Sequence, residues 1–412
     1  MEDIRLLDKL IIGLLCLSIV LSGTFIDYSY FLASIIIISL IRTFKDKNRM
    51  LTIKKQNLPL YFFFLLMPIT ILIGGFYARN FTGILEYLSI FILGFLLCFV
   101  CLIILNNNKK IEYLMKIYIV FAVLISLSNL IIYFVFYFTG HFENLLFIDN
   151  QGARSIGFYN NPNYYAVSVL IAVSFILGLY KTTVVTDKKL NNIRLIIYAI
   201  LTFDLFLTMS RGALITYILV NIIFLVSGIK TKINIRKFLL KFTAYSFIIV
   251  GVFSVLLKTG ILELVNDRFI RGLNDGGSGR VDLWGKSLDI FGSELFFVIF
   301  GVGGKQIETY TEFHIENTIH NSYLRFLLET GIIGFIVLIL FLILLSTRVF
   351  SIKKFIIISP MFFAFLSFIF LSLTNDMFLT REFYLIVALI FCWKINISVH
   401  TMSPHYSLEG GN

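Results

Sequence analysis

Charge is what this sequence has least of. Only 14% of its 412 residues are Asp, Glu, Lys or Arg, while 58% are apolar and the mean hydropathy is +0.91. Soluble domains carry about 25% charge, so a globule surrounded by water is excluded. Cysteine is scarce as well. Cys16, Cys98, Cys101 and Cys392 all fall inside apolar runs, which argues against a disulfide framework or a metal cluster and for buried apolar thiols. Phosphate-loop, dinucleotide-binding and zinc-protease patterns are missing, as is a Gly-Xaa-Ser-Xaa-Gly nucleophile elbow. His314 and His320 do not have the i, i+4 spacing of a metalloprotease helix. There is no internal repeat and no heptad pattern.

What is present is a succession of apolar runs of membrane length. They are continuous rather than alternating, which selects helices over a barrel. The expected fold is an all-α polytopic bundle of about twelve spans, near 9–26, 28–42, 58–77, 82–105, 113–139, 162–180, 193–209, 212–229, 237–258, 331–347, 353–374 and 382–397. The connections around the second, seventh and eighth are tight enough to leave a re-entrant pair open there. The chain then divides into spans over 1–258, an extracytoplasmic loop with short amphipathic helices over 259–330, further spans over 331–397, and a polar tail over 398–412. The first run has no small-residue cleavage site after it, so uncleaved insertion is expected.

The formal charge of +11 does not point to nucleic acid, because it is spread over short connections, where Lys and Arg set orientation. With the N-terminus in the cytoplasm, most Lys and Arg fall on inner connections, both termini lie inside and 259–330 lies outside. The short outer connections then hold Arg79, Arg154, Arg211 and Arg381 and no lysine. An arginine against the orientation rule suits a planar, always-charged fork that binds phosphate. Snorkelling at the interface, or pairing with a local acid such as Glu382, is the alternative.

Thr318 to Gly334 is the stretch on which the reading is centred. His320 and Asn321 precede a short amphipathic helix with Tyr323, Leu324, Phe326, Leu327 and Leu328 on its apolar side and Ser322, Arg325 and Glu329 on the other. Gly331 and Gly334 then lead into an apolar run. This places one imidazole at the membrane–water boundary, whether as a local hydrogen-bonding group or as a catalyst.

Five elements in order resemble the O-antigen ligase and polymerase family. They are Gly157-Phe158-Tyr159-Asn160-Asn161-Pro162-Asn163, Ser210-Arg211-Gly212-Ala213, Gly279-Arg280-Val281-Asp282-Leu283-Trp284, Gly301-Val302-Gly303, and His320-Asn321-Ser322-Tyr323-Leu324 with Glu329, Gly331 and Gly334. The resemblance implies a GT-C-like membrane glycosyltransferase of the bacterial cytoplasmic (inner) membrane, working on its outer face. The donor it implies is a glycan on undecaprenyl pyrophosphate, and the acceptor is either a lipid-linked repeat unit, for a polymerase, or a lipid A-core, for a ligase. It assigns Arg211, Arg280 and His320 to the reaction centre, with neither metal nor cofactor. Arg154, Asn161, Asn163, Asn321 and Arg381 are carried as substrate-binding candidates, with Asn161 and Asn163 also suited to starting a helix. Asp27, Asp376 and Glu329 are candidates to orient His320 or an arginine. Beyond the bilayer and the two glycans, a chain-length regulator is the partner such an enzyme would use. The His-Asn-(two)-Leu form favours polymerase over ligase, and a polysaccharide flippase is the competing reading from another class.

Overall fold

The computed structural model describes residues 4–20, 35, 57–149, 152–182, 188–229, 270, 280–310, 319–351, 356–357 and 359–394. The expected spans at 28–42 (Ile35 apart) and 237–258, residues 274–279, Asp27, His314 and the tail lie outside the described residues.

Apolar runs become helices where a side chain can satisfy the free amides at the start. Asn80 caps Phe81–Ile104 (α3) by accepting from Gly83 N at 3.3 Å, and Asn107 caps Asn108–Thr139 (α4) by accepting from Lys110 N at 2.9 Å. Proline near the first turn opens Leu58–Gly74 (α2), which follows Leu6–Val20 (α1). After a small antiparallel hairpin, Phe147–Asp149 against Gly152–Arg154, come Pro162–Thr182 (α5), Lys188–Leu207 (α6) and Arg211–Ile229 (α7). Arg280–Gly292 (α8) and Leu295–Phe300 (α9) are short. Ser322–Val349 (α10), Phe362–Leu371 (α11) and Arg381–Cys392 (α12) complete the described chain.

Among the described residues the fold is all-α apart from two minimal hairpins. Among the described residues five helical stretches, Leu58–Tyr77, α3, α4, Pro162–Lys181 and α10, are long and apolar enough to cross a membrane. Large apolar side chains such as Leu65, Ile92, Ile131 and Leu340 remain exposed on them, as a lipid-facing surface would require. At 20 and 19 residues, α6 and α7 are each about 30 Å long, also a crossing length. The expected span at 353–374 begins later, at Phe362. Phe350–Ser351 pairs with Ile356–Ile357 instead, and a proline at 360 disfavours helical geometry in the residue before it.

The two ends of the bundle differ. At one end Asp8 meets Lys110 at 3.0 Å, both buried, and the Asn108 carboxamide exchanges hydrogen bonds with the backbone of Lys394. The opposite end carries the starts of α5, α7, α10 and α12, the short helices α8 and α9, and the turn 372–380 after α11. The segment 280–310 is not free-standing. Ile290, Phe297, Val302, Ile307 and Tyr310 form a small core with Ile319 and Leu328, the latter on α10. Gln306 fastens the segment to the α2–α3 connection, its oxygen accepting from Asn80 N at 2.9 Å and its amide donating to Asn80 O at 2.7 Å.

Gly331 breaks α10, with φ 67° and ψ −175°. The strand-like turn Gly301-Val302-Gly303 lies in that break: Val302 N donates to Leu328 O at 2.9 Å and Gly303 N to Glu329 O at 3.1 Å. Gly301 also has positive φ, and a Cβ on either glycine would collide with backbone of the opposing segment. The Gly-Val-Gly and Glu-Xaa-Gly elements are thus two halves of one contact.

Candidate functional site

The site forms around the turn 372–377. Ser322, the first residue of α10, is stitched to it three times. Its N donates to Ser372 O at 2.8 Å, its Oγ donates to Asn375 O at 2.7 Å, and that Oγ accepts from Met377 N at 2.5 Å. Asn321 caps the helix, its carboxamide oxygen accepting from Tyr323 N and Leu324 N, both at 3.1 Å. His320, one residue earlier, is held at a positive φ of 51°, a region that non-glycine residues seldom occupy and that gathers at functional sites. The preceding carbonyl, Ile319 O, accepts from the Trp284 indole at 2.8 Å. One residue of α8 therefore fixes the backbone beside the imidazole.

Arg280 starts α8 and reaches the same turn, its Nη1 donating to Thr374 O at 3.1 Å. Gly212, second in α7, lies so close to Thr374 that a Cβ would strike the threonine hydroxyl. Its neighbour Arg211 is consequently brought to the same place. Burial lowers the Arg280 pKa, the Arg211 charge lowers it further, and Asp376 opposes both. Two guanidinium groups are thus near enough to repel each other, an arrangement stabilised by a bound polyanion. His320 is held below its ordinary 6.5, by burial first and then by the Arg280 and Arg325 charges, with Asp376 pulling upward. Its neutral form is therefore favoured at pH 7. The structure brings Arg211, Arg280 and His320 together around one turn.

The polar stripe of α10 faces inward rather than toward water. Ser322, Arg325 and Glu329 are all buried. Arg325 donates from Nε to Glu329 at 3.1 Å and from Nη1 to Asp376 at 3.1 Å, with Glu308 at 3.6 Å. Glu329 also accepts from Lys305 N at 2.9 Å. The partner acids Asp376 and Glu308 convert the charged side of this amphipathic helix into a second interior face. Asp376 keeps its Oδ1 buried and without a hydrogen-bond partner among the described residues. Of the acids considered for His320, it is the one whose charge the imidazole feels most.

The remaining candidates lie around this centre in other arrangements. Arg154 is buried and donates to Thr208 O at 2.9 Å and to the Asn163 carboxamide at 3.4 Å. The Asn161 side chain accepts from Asn163 N at 2.8 Å, as a residue starting a helix does. Arg381 opens α12 with Nη1 buried and without a partner among the described residues. Its neighbour Glu382 is buried and accepts from Tyr159 OH at 3.3 Å. Arg79 lies over the Tyr310 ring, 3.9 Å from its centroid, and lines a cleft with Tyr77, Ser293 and Glu294 rather than joining the central cluster. From this turn sequence reasoning singled out Asp376 but missed the Ser372, Thr374 and Asn375 carbonyls, groups that every residue has.

Residues 196–339 match the model of a protein family described as O-antigen ligase, in keeping with the resemblance drawn from the motifs. The matched stretch contains Arg211, Arg280, His320 and Asn321, and leaves out Arg154, Asn161, Asn163, Asp376 and Arg381. No curated protein matches the chain.

Proposed function

We propose, taking as premise an O-antigen ligase-type segment over residues 196–339, that the protein transfers a glycan from a polyprenyl pyrophosphate carrier at the Arg211–Arg280–His320 cluster. One observation carries this reading: two arginines and an imidazole, widely separated in sequence, meet at one turn. Breaking the sugar–diphosphate bond leaves its electron pair on a phosphate oxygen. Arg211 and Arg280 bind that diphosphate and stabilise the charge it gains, working as fixed donors in a partly dry site. His320, neutral at pH 7, takes the proton from the acceptor hydroxyl as its oxygen bonds to the anomeric carbon. The nearby Asp376 charge stabilises the imidazolium that results. No metal is assigned to the step.

The end of the bundle carrying this cluster faces away from the cytoplasm in this reading. Arg5, Lys9, Lys109, Lys110 and Lys394 gather at the other end, in keeping with positive charge retained inside and with both termini there. The acceptor is a second lipid-linked repeat unit, which makes the protein a polymerase of O-antigen or another surface polysaccharide. Transfer to a lipid A-core is the second reading, favoured by the description of the matching family.

The test is the surface glycan of cells carrying His320→Ala. Loss of long chains at normal protein level supports the reading, and normal chain length refutes it. In a deletion strain, single-repeat products mark a polymerase, whereas lipid-linked polymer that never reaches the core marks a ligase.

A further inference from the structure

The loop that delivers Arg211 is held from behind. Asp204, near the end of α6, is fully buried. Its Oδ1 accepts from Asn129 Nδ2 at 2.7 Å and from Ser155 Oγ at 2.8 Å, and its Oδ2 accepts from Tyr165 OH. A carboxylate in such a place is expensive unless every lone pair is used. Here it ties α4, α5 and α6 to the segment after the small hairpin. The last hairpin residue and the one after it then grip the end of α6: Ser155 N donates to Leu207 O at 2.9 Å, and Arg154 Nε donates to Thr208 O at 2.9 Å. Helix ends leave such carbonyls without partners of their own. Two consecutive residues thus satisfy two consecutive carbonyls.

Only Thr208, Met209 and Ser210 separate α6 from Arg211. Met209 is forced to a positive φ of 50°, and Ser210 N donates to Thr208 Oγ1 at 3.3 Å. A connection this short and constrained has no slack, so displacing Leu207 or Thr208 displaces Arg211.

We infer that Asp204 and Arg154 are positioning residues that fix Arg211 through the carbonyls of Leu207 and Thr208, and that neither touches the diphosphate. This assigns the Arg154 fork to the loop backbone rather than to substrate. It rests on the reading that Arg211 holds the leaving group.

The experiment measures steady-state transfer by purified full-length protein, with a lipid-linked donor, for Asp204→Asn and Arg154→Gln, each alone and combined with Arg211→Lys. A misplaced catalytic group costs about a hundredfold when the shift is about 1 Å. Each variant is expected to lower kcat by about tenfold or more, leave KM for the acceptor within about twofold, and add little to the loss already caused by Arg211→Lys. Multiplicative losses in the combined proteins would mean that the network acts independently of Arg211, and would overturn the inference. So would wild-type kcat in Asp204→Asn. If Asp204→Asn does not fold, Arg154→Gln decides by the same criteria. If Arg211→Lys is itself fully active, the assigned role of Arg211 falls instead, and the two failures are told apart.

Discussion

Arg280 and Thr374, 94 positions apart, are joined by a single hydrogen bond of 3.1 Å from guanidinium to carbonyl. That bond spends one of the five donors of the fork on holding α8 to the turn after α11. The same turn receives Gly212 and Ser322, so one strip of backbone sets the relative positions of Arg211, Arg280 and His320.

If the imidazole is the general base, His320→Ala lowers transfer by about a hundredfold or more. Protein level and membrane insertion stay as in the wild type, because His320 is only half-buried and the helix start beside it is fixed by Asn321 and Ser322. Quantitative blotting of membranes beside a glycan gel checks both halves.

Arg211→Lys keeps the charge and loses the planar fork. Activity falls on the order of a hundredfold, whereas a role limited to net charge would leave it nearly unchanged. Initial transfer rates at saturating donor separate the two.

The pH profile follows from the His320 environment. Burial and two neighbouring guanidiniums hold its pKa below 6.5, so the neutral base persists to lower pH and the acid limb of kcat/KM falls below 6.5. Asp376 pulls upward, so Asp376→Asn moves the limb further toward acid; Arg280→Gln moves it toward neutrality. For stability the sign is that of a depressed histidine. The unfolded chain binds the proton more readily, so this contribution is present above 6.5 and is lost as pH falls through the folded-state pKa.

Arg325→Ala leaves Glu329 and Asp376 buried and uncompensated. Breaking a buried pair by removing one partner costs about 3–5 kcal/mol, which thermal unfolding in detergent would register as a large fall in Tm. Arg325→Lys recovers only part of it, since a point charge cannot serve both carboxylates with the same geometry.

Transfer in the presence of a strong chelator tests the assignment of the leaving-group charge to arginine alone. Full activity is expected. Loss of activity restored by a divalent cation would assign part of that charge to metal.

Much of this was legible beforehand, for physical reasons that differ from residue to residue. The starts of α2, α3, α5, α7 and α12 lie at or within one residue of the expected spans, because an apolar run following Asn, Pro, Ser-Arg-Gly or a capping Thr is a local signal. Arg211, Arg280 and His320 were named from motifs, yet nothing in their spacing could show that they face one turn. The inward direction of Arg325 and Glu329 was hidden because hydrophobic periodicity shows only that two faces differ; the acid that buries the second face is Asp376, far along the chain. For Arg79 and Arg154 the sequence leaves open both a phosphate-binding fork and a local partner. The Tyr310 ring and the Thr208 carbonyl that occupy them are tertiary partners without a sequence signature.

Binding of undecaprenyl pyrophosphate to the purified protein tests the central claim most directly, when measured beside transfer for Arg211→Ala, Arg280→Ala and His320→Ala. The account predicts that both arginine variants lose affinity for the diphosphate lipid, that His320→Ala binds it as the wild type does, and that all three fail to transfer. Wild-type affinity in both arginine variants, or full transfer by His320→Ala, would contradict it.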